Sequence, residues 1–181
     1  MNDAPVCTTA HAEAVVVVDL DGTLIHTDLL HESALKLLRE DSLAVLRMPF
    51  WLARGKAALK DQIATRVALD VQSLPYHQPL LAWLREQRAS GRTLVLCTAS
   101  NERFAQAVAH HLGLFDAVIA SDAEVNVSAR RKAQILVDRY GEKAFDYAGN
   151  SADDLQVWPH ARQALLVNAG PRVAARARQQ C

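Results

Sequence analysis

Apolar positions along this chain follow two rhythms. The continuously apolar, β-branched run Ala14-Val15-Val16-Val17-Val18 reads as a strand buried on both faces, and similar short runs follow at Thr93–Cys97, Ala117–Ala120, Phe145–Ala148 and Ala164–Val167. Between them lie stretches with helical spacing: Leu80–Arg88, Glu102–Leu112 stopping before Gly113, Ala129–Tyr140 before Gly141, and Ala152–Trp158 before Pro159. Strands that alternate with helices of this length predict βαβ units. The expected fold class is α/β, a Rossmann-like parallel sheet flanked by helices.

One segment breaks the alternation. Residues 28–74 hold helical periodicity and no convincing strand, with apolar faces supplied by Leu29, Leu35, Leu37, Leu38, Ala57, Ala58, Leu59, Ile63 and Val67, and with bends at Pro49 and Gly55. The pattern predicts a helical cap over 28–74 inserted after the first strand. It leaves a core made of 14–27 and 75–181, behind a flexible N-terminal segment, 1–13. Open α/β sheets bind ligands at the carboxyl ends of their strands, so helices emerging there would lie over the site as a lid.

Composition narrows the function. The 181 residues carry 20 Lys+Arg against 20 Asp+Glu, and zero net charge excludes a generic nucleic-acid binder. The balance is uneven along the chain. Asp3, Glu13, Asp19, Asp21, Asp28 and Glu32 precede the first base, whereas residues 155–181 hold Arg162, Arg172, Arg176 and Arg178 and no acid. Cys7, Cys97 and Cys181 form neither a disulfide framework nor a zinc pattern, which fits a reducing cytoplasm. Met1–Glu13 lacks the apolar core of a secretory leader, and Leu43–Ala53, broken by Arg47 and Pro49, is far short of the roughly 20 residues a membrane span needs.

The candidate chemistry gathers at the ends of the predicted strands. Asp19-Leu20-Asp21-Gly22-Thr23 directly follows the valine run, and two carboxylates placed there can converge as the chain turns. They suit a nucleophile and an acid/base around a divalent cation; the competing explanation is a plain Asp21-Gly22 turn. Thr98-Ala99-Ser100 offers hydroxyls and backbone amides before a helix, suited to a phosphate, although Ser100 would serve equally well as a helix N-cap. Lys132 stands in the basic triplet Arg130-Arg131-Lys132, which alone would be a solvated face. Gly149-Asn150-Ser151-Ala152-Asp153-Asp154 closes the set, its acids also being favourable in a first helical turn. His26, His31, His77, His110 and His111 lack zinc-protease spacing and are expected at the surface or in the cap, and Cys97 is expected to be buried and inert.

Taken together, these motifs resemble the haloacid dehalogenase (HAD) superfamily, in its phosphoserine phosphatase-like branch, over about Ala14–Val167. The resemblance implies a HAD core with its cap after the first strand and an Mg²⁺-dependent phosphomonoester hydrolase. Asp19 would be the nucleophile that carries an aspartyl-phosphate, and Asp21 the general acid/base. Thr98, the Ala99 amide and Lys132 would bind phosphate. Asp19, the carbonyl of Asp21 and Asn150 would hold the metal, with Asp154, and Asp153 beside it, outside the ligand set. Arg54, Lys56 and Lys60 of the cap would meet an anionic substrate. Position 150 departs from the family pattern: Asn stands where Asp is common, which removes one negative charge and implies weaker Mg²⁺ binding.

A narrower resemblance rests on Phe50–Lys60, Phe145–Ser151 and Val157-Trp158. These stretches look like the HAD domain that precedes a UbiA-type membrane prenyltransferase. That likeness implies a small or polyprenyl-linked phosphomonoester as substrate and a prenyltransferase domain on the same longer chain. It also implies a place at the cytoplasmic face of the inner membrane, with the arginines near the end facing it. The alternatives to a phosphatase are a catalytically weak regulatory domain, which Asn150 motivates, and a phosphomutase.

Overall fold

The computed structural model describes residues 14–180. Segment 1–13, expected to be flexible, lies outside them, as do Cys7 and Cys181. A five-stranded sheet in the order β3-β2-β1-β4-β5 is parallel throughout. Its strands are β1 (Val15–Val18), β2 (Leu94–Asn101), β3 (Ala117–Ser121), β4 (Phe145–Gly149) and β5 (Gln163–Leu166). The valine run is the middle strand because it has two neighbours, with Val17 beside Val95 on one side and Tyr147 on the other.

Alternation along β1 divides the core. Val16 and Val18 join Leu94, Leu96 and Ala148 beneath α5 (Gln78–Ala89) and α6 (Glu102–Leu112). Val17 joins Val95, Phe145 and Tyr147 under α7 (Ala129–Tyr140) and Trp158. Every other side chain of a strand points the same way, so a strand covered on both sides must be apolar at each position. Burying each valine stabilises by about 1.5–3 kcal/mol.

Between β1 and β2 the chain forms α1 (Leu29–Glu40), α2 (Ser42–Val45), α3 (Met48–Ala53) and α4 (Lys56–Ala64), and residues 29–64 contain no strand. Asp28 starts α1 by accepting hydrogen bonds from the amides of Leu30 and His31. Gly55, at φ +107, separates α3 from α4. Leu37, Ala44, Trp51, Leu59, Ile63 and Val67 give this helical insertion a small core of its own. Its helices end at Ala64, short of the 74 expected, and Val67 packs from the segment that follows.

Two expectations need correction. β2 continues through Thr98-Ala99-Ser100 to Asn101, with an irregular register after Cys97, because Asn101 and not Ser100 caps α6. Residues 152–158 are not one α-helix. They contain a 3₁₀ turn, Asp153–Gln156, followed by a second, Trp158–His160, in which Pro159 takes an early helical position rather than ending a helix. The arginine-rich end forms α8 (Pro171–Gln180), whose Ala177 is buried against the core. Among the described residues no helix is long and apolar enough to cross a membrane.

At the amino ends of the strands, buried Asp146 accepts hydrogen bonds from Arg92 (2.6 Å) and Arg162 (2.6 and 2.8 Å). Burial alone would raise the Asp146 carboxyl, but the hydrogen bonds and charges of Arg162 and Arg92 outweigh it and hold it below the usual 3.8.

Candidate active site

At the other end of the sheet β1 runs into a tight turn. The amide of Leu24 donates to the carbonyls of Asp19 and Leu20, and that of Ile25 to Leu20. Leu20, Leu24 and Ile25 are fully buried and anchor the turn from below. Gly22 sits at φ +75, and a Cβ there would lie 2.1 Å from the Asn150 side-chain nitrogen, so only glycine lets the two segments meet. This closure brings Asp19 and Asp21 to one cavity.

Each carboxylate is held by different partners. Asp19 Oδ1 accepts from Lys132 Nζ at 2.7 Å, and its Oδ2 lies 3.5 Å from the Thr23 hydroxyl. Asp21 Oδ1 accepts from the Leu29 amide at 2.8 Å, which ties the first turn of α1 to the site. Asp21 Oδ2 accepts from Ser100 Oγ at 2.6 Å and from Thr98 Oγ1 at 3.3 Å, two residues on the same side of β2. Lys132, in the first turn of α7, also donates to the Tyr147 hydroxyl at 2.9 Å, and Tyr147 donates to Asp154 Oδ1 at 2.7 Å. Asp154 Oδ2 in turn accepts from the amides of Asn150 and Ser151, both at 2.9 Å, which shapes the loop after β4. Gly149 makes room for it, since a Cβ at 149 would lie 2.6 Å from the Asp154 carboxyl carbon.

Burial sets the electrostatics. It pushes the Asp19 carboxyl up to about 7, chiefly against the charge of Lys132, while Asp154 and Asp21 push further in the same direction. Burial likewise raises Asp21 despite its hydrogen bonds from Leu29 and Ser100. Burial alone would lower Lys132, but Asp19 and Asp154 more than offset it and keep the ammonium charged. Cys97 is fully buried beneath the site, as expected, and burial pushes its thiol up to about 12.

Asp19, Asp21, Ala99, Lys132, Asn150, Asp153 and Asp154 all line one cavity of about 670 Å³, and Lys56 and Lys60 reach it from the insertion. Lys60 Nζ donates to the Ala99 carbonyl and to Asn126 Oδ1. Two expected residues fall elsewhere. Thr98 is fully buried off the cavity, its hydroxyl accepting from the Ser100 amide and facing Asp21, because β2 continues past it. Arg54 is exposed at the end of α3 and does not line the cavity. His26 lines the cavity mouth; the other histidines considered do not.

Thr23, Ser100 as the partner of Asp21, and Tyr147 were not singled out from the sequence for these roles. Period-two alternation in β4 places Tyr147 on the α7 side with Phe145, beneath Lys132, and that was the available signal.

The donors suit a hard divalent cation. Among the described residues no three His, Cys, Asp or Glu side chains converge on a metal position, so a cation here would draw on the Asn150 amide. Asn150 Oδ1 is 3.2 Å from the same Thr23 hydroxyl that Asp19 Oδ2 approaches, which brings two oxygen donors together. Lys132 meets the carboxylates of both Asp19 and Asp154, and Asp21 adds a third carboxylate close to Asp19 whose charge a cation would help offset.

A family model described as haloacid dehalogenase-like hydrolase matches residues 16–158. An uncharacterised protein, y4nM, of Sinorhizobium fredii (strain NBRC 101917 / NGR234) is 37% identical over 165 residues. The match covers 91% of this chain, which spans about a third (32%) of that relative's length. Among solved structures, the HAD family hydrolase t0658 of Salmonella enterica serovar Typhi superposes with a TM-score of 0.67 at 19% identity, covering 91% of this chain and 65% of that one. A substrate-bound phosphoserine phosphatase superposes at 0.63 and 14% identity, covering 91% and 90%. At these identities the solved structures speak for the fold.

Proposed function

The chain belongs to the haloacid dehalogenase-like hydrolases, and from that premise we propose that it is a phosphatase in which Asp19 attacks the phosphorus of a phosphomonoester and Asp21 handles the proton. The observation that carries the reading is the pairing of two differently held carboxylates on one cavity: Asp19 gripped by Lys132 at 2.7 Å, and Asp21 fixed by Leu29 and Ser100. The fold shared with phosphoserine phosphatase supports it.

An Asp19 oxygen bonds to phosphorus as the bond from phosphorus to the leaving alkoxide breaks, and Asp21 gives that alkoxide its proton. Burial favours the protonated form of Asp21, which suits the donor role. In the second half water attacks phosphorus, its proton passes to Asp21, and the bond to Asp19 breaks to release phosphate. Lys132 holds Asp19 in place and presents its charge where phosphoryl oxygens gather. Asp19, the main-chain carbonyl of Asp21 and Asn150 would hold Mg²⁺, which when bound supplies further positive charge to those oxygens. Ala99 and Ser100 border the same space. Residues 29–64 act as the cap, with Lys56 and Lys60 meeting the leaving group of a small or polyprenyl-linked phosphomonoester.

Phosphate release from para-nitrophenyl phosphate with Mg²⁺, together with a hydroxylamine-labile phosphoenzyme, tests the proposal. Both are expected in the wild-type chain and neither in Asp19→Asn. A chain that shows neither across a panel of phosphomonoesters would instead match the regulatory reading that Asn150 motivates.

A further inference from the structure

The helical insertion leaves more apolar surface exposed than its own core uses. Among the described residues, the large apolar side chains at least half exposed are Leu35, Leu38, Leu43, Leu46, Phe50 and Leu52, and all six lie in or between α1 and α3. Four of them fall within residues 43–52, a stretch that helical rise limits to roughly 15 Å. Neighbours in that stretch point inward: Ala44 and Trp51 are buried with Leu37, Leu59 and Ile63. Phe50 is 74% exposed and adjoining Trp51 only 8%. Packing within the chain explains Trp51 and leaves Phe50 unexplained. Exposed apolar groups concentrated in this way mark an interaction surface.

Charge identifies the occupant. Residues 42–60 carry Arg47, Arg54, Lys56 and Lys60 and no acid. Arg47, Arg54 and Lys56 are exposed, whereas Lys60 is turned to Ala99 and Asn126. A second copy of the chain paired through the same patch would set Arg47 and Arg54 against themselves. An anionic lipid surface satisfies both features, taking the apolar groups at the acyl boundary and the cations at the headgroups. We propose that the face formed by Leu43, Leu46 and Phe50 with Arg47 and Arg54, which follow one another at three- and four-residue spacing, docks on an anionic bilayer. The proposed contact is one of docking on the surface; among the described residues no helix is long and apolar enough to cross. Leu52 and Lys56 line the 670 Å³ cavity instead and stay outside the docking face. Nothing in this inference depends on the hydrolytic reading.

Flotation of the 181-residue chain with vesicles measures the docking. Binding is expected to mixed phosphatidylglycerol and phosphatidylcholine vesicles at least tenfold above pure phosphatidylcholine, and to weaken as salt is added. Each cation at an anionic surface contributes roughly fivefold. The Arg47→Glu/Arg54→Glu variant should therefore lose at least tenfold, and Leu46→Ser/Phe50→Ser should lose as much with its charges intact. Far-UV circular dichroism checks that these exposed substitutions leave the fold unchanged. Three outcomes overturn the proposal: no preference for the anionic vesicles, retention of binding in both folded variants, or a dimer in sedimentation velocity that Leu46→Ser/Phe50→Ser dissolves.

Discussion

Two charge clusters sit at opposite ends of the same sheet, and their buried carboxylates are shifted in opposite directions. At the amino ends one carboxylate, Asp146, is met by two guanidinium groups and is held below its usual value. At the carboxyl ends one ammonium, Lys132, meets Asp19 and Asp154, and burial raises both Asp19 and Asp21. None of Arg92, Asp146 and Arg162 lines the large cavity, whereas Asp19, Asp21, Asp154 and Lys132 all do. Burial and ion pairing alone therefore do not mark a site. The carboxyl-end cluster differs in facing a space that a ligand can enter.

Substitution should separate the two clusters most sharply through activity. Asp19→Asn is expected to abolish phosphate release, and Asp21→Asn to lower kcat by about 10²–10⁴, while the urea midpoints of both stay near wild type. A large stability loss in Asp19→Asn would mean that this end of the sheet, too, is a structural bolt. Asp146→Asn should do the reverse. Stripping the carboxylate from buried Arg92 costs about 3–5 kcal/mol, read as a lowered urea midpoint, with kcat retained in the protein that remains folded.

Acid titration sharpens the same contrast. Because the folded-state value of Asp146 lies below 3.8, its contribution to stability is present above that value and is lost as pH falls through the folded one. Chemical denaturation between pH 5 and pH 2, values bracketing the ordinary carboxylate range, should show a falling limb that is shallower in Asp146→Asn. An identical limb in both proteins would remove Asp146 from the account. The remaining effects belong to the carboxyl end. Asn150→Asp should lower the Mg²⁺ concentration for half-maximal activity on the order of tenfold by adding one negative charge, and equal metal dependence of the two forms would sink the idea. Tyr147→Phe removes the hydroxyl that joins Lys132 to Asp154. It should cost about 1 kcal/mol, visible as a several-fold fall in kcat with the fold intact.

Much of this was legible along the chain. The helices Glu102–Leu112 and Ala129–Tyr140 have the ends that Gly113 and Gly141 announce, and β1 lies where the valines stand. Asp19 and Asp21 were legible because strand end, spacing and the following glycine are all local. Ser100 was not. Whether its hydroxyl caps a helix or binds a carboxylate depends on how far β2 continues and on what β1 brings beside it. Arg92, Asp146 and Arg162 are separated along the chain and joined only by sheet register, so no local pattern announces their pairing.

By itself, then, the amino-acid sequence determined the period of each element, their alternation, the interruption by helices after the first strand, and the two aspartates at the first turn. These are properties of residues near one another, set by side-chain volume, backbone preference and spacing. Only the tertiary structure decided which end of the sheet would be sealed by arginines and which would open. It also decided that Lys132 and Tyr147 meet under Asp19, and that Trp51 is covered while Phe50 is not. Those outcomes depend on which distant groups share a low-dielectric space, where each buried charge must find a partner, and such meetings are settled by register and packing between segments far apart in the chain.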